Sequence, residues 1–140
     1  MNQFVFLALA ALVAVGDASS TITDCGKTNV LFVVDGLAYW PDPPVPGQNG
    51  TLSFLYTVPD GTDAITDGSA KYSITLNGIP FPATTDPLCD DVPCPLVPGT
   101  FNLTSTSEFP TGVSGKISSK IQWYDTSKTE LLCVDLTVRI

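Results

Sequence analysis

The sequence predicts an all-β fold, a β-sandwich of two antiparallel sheets, and three observations carry that expectation. Short apolar runs alternate with polar residues at period two, Gly-, Pro-, Asn- and Asp-rich turns separate them, and helical periodicity is absent beyond the N-terminal segment. Strands with one dry and one wet face bury the dry faces most readily by packing two sheets against each other.

The 140-residue chain opens on an apolar run, Phe4 to Val15, followed by Gly16, Asp17, Ala18, Ser19 and Ser20. Twelve apolar residues are too few for a helix across a bilayer core, which takes about 20. The run reads as a secretory signal peptide over residues 1–18, cleaved near Ala18, although its only n-region charge is the α-amino group. An uncleaved anchor is the alternative. The mature domain, 19–140, is then one unit with room for one substantial core.

Strands are expected near 30–40, 51–58, 70–77, 100–107, 115–124 and 130–139. In the second of these Leu52, Phe54, Tyr56 and Val58 share a face, with Leu55 out of phase. Tyr72, Ile74 and Leu76 alternate with Lys71, Ser73 and Thr75; Ile117, Ile121 and Trp123 alternate with Lys116, Lys120 and Gln122, and Ser119 interrupts their apolar face. The last run places Leu132, Val134, Leu136, Val138 and Ile140 on one side. Turns are expected at Pro46-Gly47, Asp60-Gly61, Asp67-Gly68, Asn77-Gly78 and Pro98-Gly99.

Cys25, Cys89, Cys94 and Cys133 read as two disulfides in a secreted chain, with three pairings formally open. The short Cys89–Cys94 spacing favours a local staple, leaving Cys25 to reach Cys133. A four-thiolate zinc site normally brings two short Cys knuckles, and only one short pair is present. The sequons at Asn49 and Asn102 are candidate glycosylation sites, and alternation points both to solvent.

Composition excludes several function classes. The chain has no histidine, which removes Ser-His-Asp and Cys-His mechanisms and most zinc and iron sites. Asp90-Asp91, inside the Cys89–Cys94 loop, reads as solvated rather than as a catalytic pair, and DGTDAITDG over 60–68 lacks calcium-loop spacing. No enzyme activity, metal or cofactor is expected. Removing Asp17 leaves 13 acids against six bases, a net charge of −7, which argues against nucleic-acid binding. It also disfavours tight electrostatic docking on anionic membranes.

Spaced motifs add a resemblance. Asp24-Cys25-Gly26, a Pro-rich stretch ending Pro46-Gly47, Asn77-Gly78-Ile79-Pro80-Phe81-Pro82, Pro87-Leu88-Cys89, Cys94-Pro95-Leu96, Phe109-Pro110, Trp123-Tyr124-Asp125 and Leu131-Leu132-Cys133-Val134 follow one another from Asp24 to Ile140. In this order they resemble the ML (lipid-recognition) domain family, which includes soluble sterol carriers, mite allergens and fungal phospholipid-transfer proteins. The resemblance implies an immunoglobulin-like sandwich with a lipid cavity between its sheets, and the pairings Cys25–Cys133 and Cys89–Cys94. Sterol-carrying members have a third disulfide after the first strand, where this chain has only the Pro41–Pro46 stretch. Phe81 and Phe109 match aromatics that contact sterol in the carrier, and Ser105 stands where the carrier has a valine.

The candidate lipid-binding set is the inward faces, Phe54, Tyr56, Tyr72, Ile74, Phe81, Phe101, Leu103, Ile121, Trp123, Val134 and Leu136, with Phe109 added by the resemblance. The mouth is expected near the loops of Phe81, Leu96 and Phe109. The implied ligand is a sterol, phospholipid or fatty acid, carried by a monomer that touches membranes transiently, more strongly as pH falls toward the carboxylate range near ~4. Secretion, or the lumen of a lysosome- or vacuole-like compartment, fits the leader. The alternative is an extracellular protein-recognition module whose sandwich is filled by the same side chains.

Overall fold

The computed structural model describes residues 19–26 and 28–140, so the expected signal peptide lies outside the described residues. Nine strands and one helical turn follow in chain order: β1 (Ser19–Asp24), β2 (Val33–Trp40), β3 (Asn49–Val58), β4 (Ser69–Leu76), β5 (Ile79–Pro80), β6 (Thr84–Pro87), α1 (Leu88–Asp91), β7 (Gly99–Glu108), β8 (Lys116–Tyr124) and β9 (Glu130–Arg139). All pairings are antiparallel. One sheet runs β1-β9-β8-β4, with β5 and β6 sharing the free edge of β4; the other runs β2-β3-β7.

The six expected strands are present within one to three residues of their expected ends. The first starts at Val33 because Leu31 and Phe32 are held outside it, their N–H groups donating to the Glu130 and Leu131 carbonyls at 3.2 and 2.7 Å. The sequence reading missed β1, whose SSTITD carries a single large apolar residue, Ile22. Pairing with the strongly apolar β9 makes it a strand. The edge pieces β5 and β6 were also missed, since Pro80, Pro82 and Pro87 obscure their pattern and are tolerated only at a sheet edge.

Both disulfides form, Cys25–Cys133 and Cys89–Cys94, with Cα separations of 5.0 and 5.4 Å. The first anchors the end of β1 to the middle of β9, and the Cys25 N–H also donates to the Cys133 carbonyl at 3.0 Å. Cys133 is buried. The Asp67 carboxylate accepts from the Gly68 N–H at 2.8 Å, a local bond typical of Asp in a turn. Asn77, at φ 49°, uses its side-chain oxygen to accept from the Lys116 N–H at 2.8 Å, joining the β4–β5 turn to the start of β8. Asn49 and Asn102 are both exposed.

The core is packed most densely at one end of the sandwich. Trp123 lies edge-on to Tyr56 with centroids 5.1 Å apart and tilts against Phe54 at 6.1 Å. Phe32 stacks on Tyr56 from the other side at 6.2 Å. Leu88, Val92, Leu96, Leu131, Leu132 and Val134 close around this block.

Candidate functional site

Followed along their inward faces, the central strands change in the same direction. On β3 the order toward one end is Val58, Tyr56, Phe54, Leu52, Gly50; on β8 it is Trp123, Ile121, Ser119, Ile117; on β7 it is Phe101, Leu103, Ser105, Ser107. Registers bring the large aromatics together at one end and the small residues together at the other. Volume missing from successive inward positions is not recovered by neighbours, since both sheets are held apart by the aromatic block. A cleft results.

The cleft has a volume of about 350 Å³. Leu52 from β3, Tyr72 and Ile74 from β4, Ile117 and Ile121 from β8, Leu136 and Val138 from β9, and Phe109 beyond β7 give it mainly apolar walls. Ser105, Ser107 and Ser119 place hydroxyls among them, and Tyr39 and Glu108 stand at the end where the strands finish. Among the described residues, Glu108 is the only charged one lining it.

Local structure fixes several of these side chains. The Phe109 N–H donates to the Gln48 carbonyl, and the Phe109 carbonyl accepts from the Gly47 N–H, both at 2.8 Å. The Pro-rich loop is thereby strapped to the end of β7, and Phe109 is turned inward, 8% exposed. Gly50 is required next to Tyr39: a Cβ there would overlap the tyrosine hydroxyl. The Tyr72 hydroxyl donates to Asp91 Oδ2 at 2.6 Å. Burial first, then this bond and the Asp91 and Asp86 charges, push the Tyr72 phenol well above its usual value. Burial raises the Tyr39 and Tyr56 phenols in the same direction.

Of the twelve residues proposed from sequence, Tyr72, Ile74, Phe109, Ile121 and Leu136 line the cleft. Phe54, Trp123 and Val134 are 1% exposed and fill the packed end, where Tyr56 and Leu103 also pack. Tyr56 and Phe101, with centroids 5.6 Å apart, border a separate hollow of about 190 Å³ beside Pro95 and Leu96. Phe81 lies outside the cleft wall and is half exposed. Its N–H donates to the Ile74 carbonyl at 2.9 Å, which continues the β4–β5 pairing and puts its side chain on the same sheet face as Ile74. Leu96 was expected beside Phe81 and Phe109. It pairs instead with Ile65 at the packed end, because β7 runs its full ten-residue length between Leu96 and Phe109.

Sequence reasoning did not name Leu52, Tyr39, Gly50, Ser107, Ile117 or Val138 as site residues. A signal for the hollow was nevertheless present: Gly50, Ser105, Ser107 and Ser119 occupy inward-phase positions where a filled core would carry larger side chains.

Comparison with known proteins gives a consistent picture. The ML domain family profile matches residues 19–140. A phosphatidylglycerol/phosphatidylinositol transfer protein of Mycosarcoma maydis is 31% identical over 126 residues, covering 84% of this chain and 64% of that protein, so the chain spans less than two thirds of that relative's length. A putative phosphatidylglycerol/phosphatidylinositol transfer protein 1 of Dictyostelium discoideum is 27% identical over 99% of this chain and 95% of its own length. In fold, the chain is similar to the crystal structure of a Niemann-Pick type C2 protein from Japanese carpenter ant, with a TM-score of 0.61 at 16% identity over 84% of this chain and 96% of that one. It is also similar to chicken MD-1 complexed with lipid IVa, with a TM-score of 0.58 at 11% identity over 88% and 90%.

Proposed function

The chain belongs to the ML domain family, and from that premise we propose that it binds a lipid by its acyl chain in the cleft between the sheets and transfers it between membranes. The observation that carries this reading is the hollow end of the sandwich: an apolar-walled space of about 350 Å³ in a domain whose other end is densely packed. Such a space costs stability when empty, at ~24 cal/mol per Å³ in measured cavity series, and an apolar cavity takes up apolar ligands readily.

Size supports one acyl chain in the resting cleft. A methylene takes up roughly the ~30 Å³ of a liquid water, so the space holds about a dozen carbons. Burying that many contributes roughly 10 kcal/mol at ~0.8 kcal/mol per CH₂, the scale needed to lift a lipid from a bilayer. A second chain requires the sheets to part further. The hydroxyls of Ser105, Ser107 and Ser119 favour a phospholipid, whose ester groups can accept from them, over an all-hydrocarbon sterol body. The transfer activity named for the fungal and amoebal relatives supports the same choice.

Membrane contact is the second part of the proposal. Ile74, Ile79 and Phe81 are 48, 67 and 51% exposed and form an apolar lip on the free edge of β4, on the cleft side of the sheet. Trp40, 73% exposed, ends β2 at the same end of the molecule, opposite Thr51. Secretion is part of this reading and rests on the apolar run Phe4–Val15, as glycosylation at Asn49 and Asn102 rests on their sequons and exposure.

The test is native mass spectrometry of the secreted protein, followed by lipid extraction. A one-to-one adduct that extraction identifies as a phospholipid is expected. A clean apo mass that persists after incubation with phospholipid vesicles would favour the protein-recognition module instead.

A further inference from the structure

The face of the larger sheet that points away from the cleft carries an unusual charge distribution. Alternation sends Lys71, Ser73 and Thr75 of β4, Lys116, Ser118, Lys120 and Gln122 of β8, and Asp135, Thr137 and Arg139 of β9 to that outer side. Four of the chain's six cationic residues thus share one face of a protein with 14 acids. Lys116 lies directly opposite Arg139, and Lys71 is diagonal to Lys120 across the β4–β8 pair. Like charges so placed repel. No ion pair among the described residues offsets them, even though Asp135 is the register partner of Lys120.

The face is also concave. Lys71, Ser73, Thr75, Gly78, Lys116, Ser118, Lys120, Gln122 and Asp135 enclose a basin of about 420 Å³. Lys71 and Lys120 are half-buried in it. Asp135 Oδ1 is closed off from solvent and accepts no hydrogen bond. The ammonium groups of Lys71 and Lys120, the Ser73 hydroxyl and the Gln122 side-chain amide, neighbours across the β4–β8 pair, form a polar set for a ligand with both a charged and a hydroxylated part.

We propose that this outer-face basin is a binding site for a phosphate- or sulfate-bearing polyol, the anionic group taken by Lys71 and Lys120, which are diagonal neighbours, and ligand hydroxyls by Ser73 and the Gln122 side-chain amide. The amide separates this ligand from bare phosphate, which brings it no carbon-borne hydroxyl. The basin and the lipid cleft lie on opposite faces of the same strands, so the proposal stands whether or not the cleft binds lipid.

The experiment is a ¹H–¹⁵N titration of the full mature chain with glucose 6-phosphate, inorganic phosphate and glucose, repeated on the triple variant K71Q/K116Q/K120Q. Saturable shifts at amides of Ser73, Ser118 and Lys120 with glucose 6-phosphate are expected, with at least tenfold weaker binding in the variant and in 0.5 M NaCl. Gln122→Leu should weaken glucose 6-phosphate more than inorganic phosphate. Absence of saturable shifts, equal affinity in the triple variant, or inorganic phosphate binding as tightly as the sugar phosphate would overturn the assignment. Vesicles containing phosphatidylglycerol, against phosphatidylcholine alone, identify the source: retention competed away by glucose 6-phosphate assigns the site to lipid headgroups, and sugar phosphate binding without retention assigns it to a soluble ligand. Both results support the site. An unchanged circular dichroism spectrum and melting curve establish that the triple variant is folded.

Discussion

The Tyr72 hydroxyl and the Asp91 carboxylate are joined at 2.6 Å, linking a wall of the cleft to the turn stapled by Cys89–Cys94. Asp91 positions a tyrosine ring in this geometry. Tyr72→Phe and Asp91→Ala should each destabilise the fold by about 1 kcal/mol, the usual net value of such a bond. A double-mutant cycle by denaturant unfolding should recover a coupling of similar size, and additive effects would show that the bond contributes nothing.

The same tyrosine sets a pH dependence. Tyr72, Tyr39 and Tyr56 all have phenols raised in the folded state, chiefly by burial. In the unfolded chain they ionise near ~10, so the native state holds more protons above that pH and stability falls as pH rises. Their stabilising contribution is fully present below ~10 and is lost on raising the pH through the higher folded values. Urea midpoints should therefore be level between pH 7 and 9 in respect of these groups and drop by pH 11, and Tyr72→Phe should flatten that drop.

The hollow and packed ends should respond oppositely to changes in side-chain volume. Ser119→Leu adds bulk inside the cleft and should cut lipid uptake at least tenfold while leaving the melting temperature unchanged or raised. Phe54→Ala removes a side chain from the aromatic block and should cost about 3–5 kcal/mol. Thermal unfolding with a fluorescent-lipid binding assay reads both, and equal destabilisation by the two would contradict the division into ends.

Most of the architecture was legible because alternation is strong wherever one face is buried, as along Leu52–Val58 and Leu132–Val138. Phase alone could not say which inward positions border space and which are filled. Ile121 and Trp123 are both inward on β8, yet the first lines the cleft and the second is sealed among rings. That difference depends on which residues the register sets opposite them, a long-range property. Phe81 shows the same limit: its motif context suggested a ligand contact, while the short β5 pairing carries it out to the sheet edge.

The position of Phe81 alters what its substitution should do. Phe81→Asp and Ile79→Asp place a charge on the exposed lip rather than in the cleft. Both should slow lipid exchange with vesicles several-fold and leave binding of a detergent-solubilised lipid unchanged. Loss of binding in both assays would instead put Phe81 in contact with the bound chain.

The two disulfides should differ in weight. Cys25–Cys133 spans 108 residues and Cys89–Cys94 only five, which in the chain-entropy model corresponds to about 5 and about 2 kcal/mol. Paired Cys→Ser variants measured by urea unfolding should rank in that order, and an inverted ranking would show that the short staple stabilises chiefly through the native loop.

The central claim is that a lipid chain occupies the hollow end between the sheets. A phospholipid carrying a photoactivatable group at the terminal carbon of one acyl chain, bound and then irradiated, tests it most directly. Peptide mapping should place the crosslinks on inward residues at the deep end of the cleft, chiefly Tyr72 and Ile121. Crosslinks spread over the outer faces, or confined to the hollow beside Tyr56 and Phe101, would contradict the account.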